Sequence, residues 1–416
     1  MKKIFKTLAV IILLSVLLPS CKNGPGNDDG SDSVRPPEEP LKELAVNVYL
    51  DNTSSMKGYV MADDATEFTE VFSGIFSYYM NRADEINGYY IQSKKSGSNK
   101  VIEVKAEKFD MLLSHITKKS IGYTDSYQLN DFFKTIVDNN KDSAHEVVSF
   151  FVTDGIPSGT NEEVRRTRSF NIDQRALLCD RIKESLKPLA SMNYAAAIFQ
   201  FNAKYKGEYY KYNNDHRVNL NNVSRPFYVI AIGPQDCINK FYNQIDDGQD
   251  CFAPAQKVLY TRSKNRMKIN NTEGMAEYDE DTIFINMEDG DGMSNDFEFY
   301  IKKDVLPIYA DRNSLVILWN NDTVNYRFEN EKYKFKLRLN RHDIDKKLEI
   351  KFKNDLPSWV DSCHSDNDSN ISEKNDVELG KTFNLKYLIK GIKEGLLGLD
   401  GSTYENSWKY TIITEK

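Results

Sequence analysis

Two rhythms of apolar residues run along this chain. In the first, near-continuous apolar runs alternate with helical stripes. The runs are LAVNVYL (44–50), EVVSFFVT (146–153), YAAAIFQF (194–201) and PFYVIAIG (226–233). A strand reads this way when both of its faces are covered, as in a parallel sheet wrapped by helices. Between the runs, Phe68, Val71, Phe72, Ile75, Phe76 and Tyr79 fall on one face of a helix. Leu129, Phe132, Phe133, Ile136 and Val137 form a second stripe, and Leu178, Ile182, Leu186 and Leu189 a third. Each stripe predicts a helix laid on the sheet. The alternation predicts an α/β domain over residues 41–249 with an open, mostly parallel, doubly wound sheet. Residues 202–225 interrupt it and read as an exposed hairpin or loop insertion.

The second rhythm begins near residue 250. KVLYT, DTIFINM, DFEFYIKK, SLVILWN, YKFKLRL, KLEIKF and WKYTII are short runs with frequent alternation, separated by Asn, Asp and Gly. Short alternating strands with turn signals between them predict a mainly β, sandwich-like domain over 250–416. One helical patch, Leu385, Leu388, Ile389, Ile392 and Leu396, stands inside it.

The N-terminus carries a different kind of signal. Lys2, Lys3 and Lys6 precede an apolar stretch from Leu8 to Leu18 that is too short to span a bilayer, and LLPSC closes it. Residues 1–20 thus read as a signal peptide. Ser20 followed by Cys21 resembles a bacterial lipoprotein lipobox, with Pro19 departing from the small residue usual there. That resemblance implies lipidation of Cys21 and a membrane anchor. Residues 21–40 are rich in Gly, Pro, Ser and acid and read as a flexible acidic tether. Acid soon after the cysteine resembles the surface-export signal of Bacteroidetes lipoproteins. It implies the cell-surface side of the outer membrane, with the periplasmic face as the alternative.

Charge narrows the partners. The formal net charge is −7, and no basic stripe interleaved with aromatics is present, so nucleic acid is not expected as a partner. Cys179, Cys237, Cys251 and Cys363 form no C-x-x-C pair, which leaves zinc and thioredoxin-like chemistry without support. Cys237 and Cys251 read either as a disulfide or as two free thiols. The five histidines are scattered, and no G-x-S-x-G elbow occurs.

The candidate chemistry lies where the strands end. Asp51, Thr53 and Ser55 follow the first run, Asp154 and Gly155 follow the second, and Thr124 precedes the helix at 129–137. In open α/β sheets ligands sit beyond the carboxyl ends of strands, so loops at one edge can gather these groups. Two carboxylates and three hydroxyls form an all-oxygen set that suits Mg²⁺, or Mn²⁺, better than zinc or copper.

D-x-T-x-S-M after a strand, then a Thr before a helix, then T-D-G after a buried strand resembles the von Willebrand factor type A (vWA) domain. In that family these elements form the metal-ion-dependent adhesion site. The resemblance covers about 41–235. It implies that Thr53 and Ser55 bind the metal through their hydroxyls, and that Thr124 binds directly or through water. Asp51 and Asp154 would act mainly through bound water, and a protein partner's Asp or Glu would complete the shell. Thr53 stands where serine is more usual, and Gly122 lies one residue further from Thr124 than in the family pattern. The expectation is a non-enzymatic adhesion or assembly module. A metal-dependent phosphoesterase-type hydrolase using the same carboxylates, and a metal-free scaffold, are the alternatives.

Overall fold

The computed structural model describes residues 43–96, 99–117, 129–142, 145–156, 172–211, 217–245, 252–261, 269–271, 276–279, 282–286, 294–302, 315–330, 332–340, 346–353, 355–398 and 404–415. The signal peptide, Cys21 and the tether lie outside them, as do Thr124 and Cys251. The chain is a mixed α/β protein. Its first sheet has seven strands: β1 (Leu44–Asp51), β2 (Glu85–Ser96), β3 (Asn99–Lys108), β4 (Glu146–Thr153), β5 (Tyr194–Tyr210), β6 (Arg217–Pro234) and β7 (Gln256–Tyr260). They lie in the order β3-β2-β1-β4-β6-β5-β7.

Within this sheet, among the described residues, the parallel pairs are those of β1, with β2 on one side and β4 on the other. The pairs β2–β3, β4–β6, β5–β6 and β5–β7 are antiparallel. The sheet is therefore mixed, where a mostly parallel one was expected. The cause is the connection: β6 returns from β5 as a hairpin, which must be antiparallel, and slots between β4 and β5. Both faces are nevertheless covered, so the strands still read as unbroken apolar runs.

One face packs against α1 (Lys57–Met61), α2 (Thr66–Tyr79), α3 (Phe109–Thr117) and, on the other side of β4 in sequence, the helix Gln235–Gln244. Val46, Val48, Phe150 and Val229 from the strands meet Phe68, Phe72, Ile75, Leu112 and Phe241 there. The opposite face packs against α4 (Leu129–Asp142), α5 (Ile172–Ala190) and the C-terminal helix Leu385–Leu397. Tyr49, Phe151, Ile198 and Ile230 meet Phe132, Ile182, Leu186, Leu388 and Ile392 on that side. The C-terminal helix comes unusually close to α5. A methyl group on Gly391 would stand 2.8 Å from the Cys179 carbonyl, and one on Gly395 2.9 Å from that of Lys183. The helical stripes at 68–79, 129–137, 178–189 and 385–396 are all helices.

The 202–225 insertion is the continuation of β5 and β6 past the sheet. They stay paired from Asn202↔Pro226 to Tyr210↔Arg217, with a register shift between Tyr205 and Gly207. The arm is not simply exposed: Tyr205, Tyr209, Leu220 and Arg225 are buried. Tyr59 of α1 donates its hydroxyl to the Pro226 carbonyl, and Lys206 pairs with Asp63 at 2.7 Å, which ties the arm back over the end of β1.

Most of the remaining strands build two further sheets. One has six strands, in the order Asp322–Val324, Leu315–Trp319, Lys346–Lys353, Tyr404–Glu415, Thr282–Asn286, Ala276–Asp279. The other has four, in the order Tyr326–Glu329, Lys332–Asn340, Ser294–Lys302, Ile269–Asn271. Ile285, Ile317 and Ile350 from the first and Phe299, Phe335 and Leu337 from the second share one apolar cluster. Neither sheet takes up KVLYT, which is β7 of the first sheet, nor residues 358–397, which pack on the first sheet's face.

Candidate metal centre

In the first sheet the chain order reverses at β1, since β2 lies on one side of it and β4 on the other. This is the topological switch point, where α/β sheets open a crevice beyond the carboxyl ends of their strands. Asp51 is the last residue of β1, and Asp154 follows the last residue of β4.

Local hydrogen bonds fix both loops. The Thr53 backbone N–H donates to Asp51 Oδ1 at 3.0 Å, folding the chain back over its own acid. Met56, fully buried, donates its N–H to the Thr53 carbonyl at 3.1 Å and anchors the turn in the core. After β4, the Ile156 N–H donates to Asp154 Oδ1 at 3.1 Å. Gly155 makes that turn with φ +71°, the left-handed region, and its Cα is packed against the Tyr228 ring, leaving no room for a side chain.

Side chains then connect the two loops. The Thr153 hydroxyl donates to Asp51 Oδ2 at 2.9 Å and accepts from the Gly155 N–H at 3.1 Å. The Thr53 and Ser55 hydroxyls lie 3.0 Å apart, and Ser55 hydrogen-bonds the Asp154 carboxylate. Four of the five residues read from the sequence therefore form one cluster: Asp51, Thr53, Ser55 and Asp154. The fifth, Thr124, lies outside the described residues.

The electrostatics are those of crowded, desolvated acids. Asp51 and Asp154 are each only 5% exposed. Burial, and then the charge of Asp154, push the Asp51 carboxyl up to about 7. Burial likewise raises Asp154, against the hydrogen bonds from Ser55 and Ile156. Two adjacent buried carboxylates repel, and a nearby dication removes that penalty. The donor set, two carboxylates and two hydroxyls, fits Mg²⁺ or Mn²⁺ on chemistry. Among the described residues no group of three or more His, Cys, Asp or Glu is placed to hold a metal ion.

Several neighbours escaped the sequence reading. Thr153 was visible as the first letter of T-D-G, yet its hydrogen bond to Asp51 is a tertiary contact. Arg225, only 2% exposed, lies over the Tyr209 ring with its Cζ 4.5 Å from the centroid, and its charge acts on Asp154. Burial pushes the hydroxyls of Tyr59, Tyr209 and Tyr228 upward, which keeps them protonated donors around the acids. No local pattern marks these groups, because they reach the site from separate elements: Tyr59 from α1, Tyr228 from β6, and Tyr209 and Arg225 from the arm.

The remaining cysteines stand apart from this cluster. Cys179, Cys237 and Cys363 are free thiols, and burial pushes Cys179 to about 12 and Cys237 to about 11, which disfavours the reactive thiolate. Among the described residues no helix is long and apolar enough to cross a membrane. Comparisons with protein-family profiles, with curated proteins and with solved structures find no match to this chain.

Proposed function

We propose that this chain is a lipid-anchored adhesion or assembly module whose first sheet is a vWA-like domain binding a protein partner through a divalent metal. Asp51, Thr53, Ser55 and Asp154, with Thr124, hold Mg²⁺ or Mn²⁺, and an acidic side chain of the partner completes the shell. The observation that carries this reading is the joining of four of these side chains, from two loops a hundred residues apart, at the switch point of the sheet. The metal would supply charge and coordination. The chain's own residues supply the rest: Thr153 and the Thr53 N–H orient Asp51, and the Ser55 hydroxyl and Ile156 N–H orient Asp154.

The same proposal includes lipidation at Cys21, placement on the outer membrane facing the cell surface, and a sandwich-like arrangement of the six- and four-stranded sheets. No catalysis is assigned to the site. The burial of the acid pair favours a second reading, a metal-free scaffold in which the pair keeps a proton.

Calorimetric titration of the full chain with Mg²⁺ and with Mn²⁺, beside Asp51→Ala and Thr124→Ala, separates the readings. A saturable heat in the native chain that both substitutions remove is the expected result. Equal heats in all three proteins would eliminate the site, and phosphatase turnover abolished by Asp51→Ala would move the assignment to a hydrolase.

A further inference from the structure

The edge that carries Asp51 and Asp154 is overlaid by a closed loop from the C-terminal part of the chain. Residues 366–381 leave and re-enter between two short segments, His364–Ser365 and Thr382–Phe383, which pair in parallel. The loop therefore has a fixed base, and it is tied down at both ends of its span.

Its inner ties reach the surroundings of the acid pair. The Tyr228 hydroxyl, whose ring packs on Gly155, bonds the Thr382 hydroxyl at 3.0 Å. Arg225 donates to the Leu379 carbonyl at 3.4 Å, and Tyr209 donates its hydroxyl to Asp368 Oδ2 at 3.5 Å. Its outer ties are clamps of a different kind. Arg175 holds Asp366 through the carboxylate at 3.0 Å and the backbone carbonyl at 2.6 Å. Lys211 donates to the Ser369 carbonyl at 2.6 Å.

The charges on the inner side are informative. Arg225 is 2% exposed and Asp368 1% exposed. A guanidinium stays charged in a protein, and burying it is costly unless an anion is near. Tyr209 stands between them: its ring lies under Arg225 and its hydroxyl points to Asp368. The loop thus brings a buried carboxylate to the hydroxyl of the tyrosine that lies under a buried cation, and the field of that cation also reaches Asp154. An acid presented by a partner would need the same cation and the same edge.

We propose that residues 366–381 are an internal strap that holds the place of the acidic guest. At rest the Leu379 carbonyl accepts from Arg225 and Asp368 holds the tyrosine stacked on it, and a partner's acid engages the edge only after displacing them. Arg225 then serves as the guest's second anchor beside the metal. The proposal rests on the metal reading above, and its test keeps the two apart.

The test uses the full chain, Mn²⁺, and a short peptide with a single glutamate as the acidic probe. Arg175→Ala combined with Lys211→Ala removes the outer clamps and touches neither the acid pair nor Arg225. The expected result is unchanged Mn²⁺ affinity with peptide binding at least about tenfold tighter, because a mostly closed strap weakens the guest in proportion to the open fraction. Asp368→Asn should tighten the peptide in the same direction, and Arg225→Met should weaken it. Hydrogen exchange supplies a readout independent of ligand: amides of 366–381 should exchange faster in the double variant while those of β1 and β4 stay protected. Unchanged peptide affinity with intact Mn²⁺ binding overturns the strap. If Mn²⁺ binds to no form of the chain, the metal reading falls. The strap is then overturned by exchange of 366–381 in step with β1 and β4, and supported by their separation.

Discussion

The two ends of this molecule treat charge in opposite ways. At the carboxyl edge of the seven-stranded sheet, Asp51, Asp154, Arg225 and Asp368 are buried. In the four-stranded sheet, the ion pairs of Arg327 lie on the outside. Arg327 reaches Glu298 at 2.9 Å and Glu329 at 3.6 Å with more than half its side chain in water. Surface pairs exchange one solvated state for another and contribute little. Buried charges lose their hydration and must be balanced by geometry or by something that binds. The contrast marks the carboxyl edge of the first sheet as the place where charge has lost its water and must be balanced by its neighbours.

Three experiments sharpen or break that contrast. The largest effect should come from Gly155→Ala, which adds a methyl group 2.7 Å from the Tyr228 ring in a left-handed backbone conformation. Strain and overpacking together predict a loss of about 4 kcal/mol in denaturant unfolding. A loss under about 1 kcal/mol would mean that the loop after β4 is slack and the acid pair not preorganised.

The next effect is a pH dependence of unusual sign. The folded state raises Asp51 to about 7, above its ordinary value of 3.8, so it binds a proton that the unfolded chain releases. This contribution is complete below the unfolded value and is lost as pH rises through the folded one. Metal-free protein should therefore lose on the order of 3 kcal/mol between about pH 5 and about pH 8. Saturating Mg²⁺ should reverse the slope, because it favours the ionised pair. Asp154→Asn should flatten it by removing the neighbouring charge. Thermal melts across that range decide the matter, and a slope that rises with pH in the metal-free chain would contradict the buried pair.

The smallest effect belongs to the other region. Arg327→Ala should change stability by less than about 0.5 kcal/mol, and added salt should shrink the difference further. A cost comparable to that of Gly155→Ala would erase the distinction between the two regions.

The legible parts of the fold were those that depend on one segment at a time. The stripe from Phe68 to Tyr79 specified α2, and the apolar runs specified β1, β4 and the buried halves of β5 and β6. Strand direction was not legible. A run such as PFYVIAIG reports that both faces are covered, and it reads the same whichever way the strand points, so the antiparallel insertion of β6 was hidden. The site divided along the same line. Asp51, Thr53, Ser55 and Asp154 stood out because short motifs at strand ends carry them. Thr153, Arg225, Tyr209 and Asp368 did not, because their roles arise from long-range contacts: Thr153 meets Asp51 across 102 residues of chain, the charges of Arg225 and Tyr209 couple to Asp154, and Tyr209 meets Asp368 across 159 residues. The assignment of KVLYT to the second half of the chain shows the same limit. Its residues Lys257 to Tyr260 pair with β5, a partner that composition does not name.

What the sequence by itself determined is local: where strands and helices form, which of their faces are apolar, and which strand ends carry clustered carboxyl and hydroxyl side chains. These follow from side-chain periodicity and turn chemistry acting over a few residues. Only the tertiary structure decided which strands are neighbours, that β6 runs against β4, and that a buried arginine comes to act on the carboxylate pair while the tyrosine beneath it reaches a third acid. The physical reason is that desolvation and charge pairing depend on distance in space, and the chain reaches those distances only after it has folded.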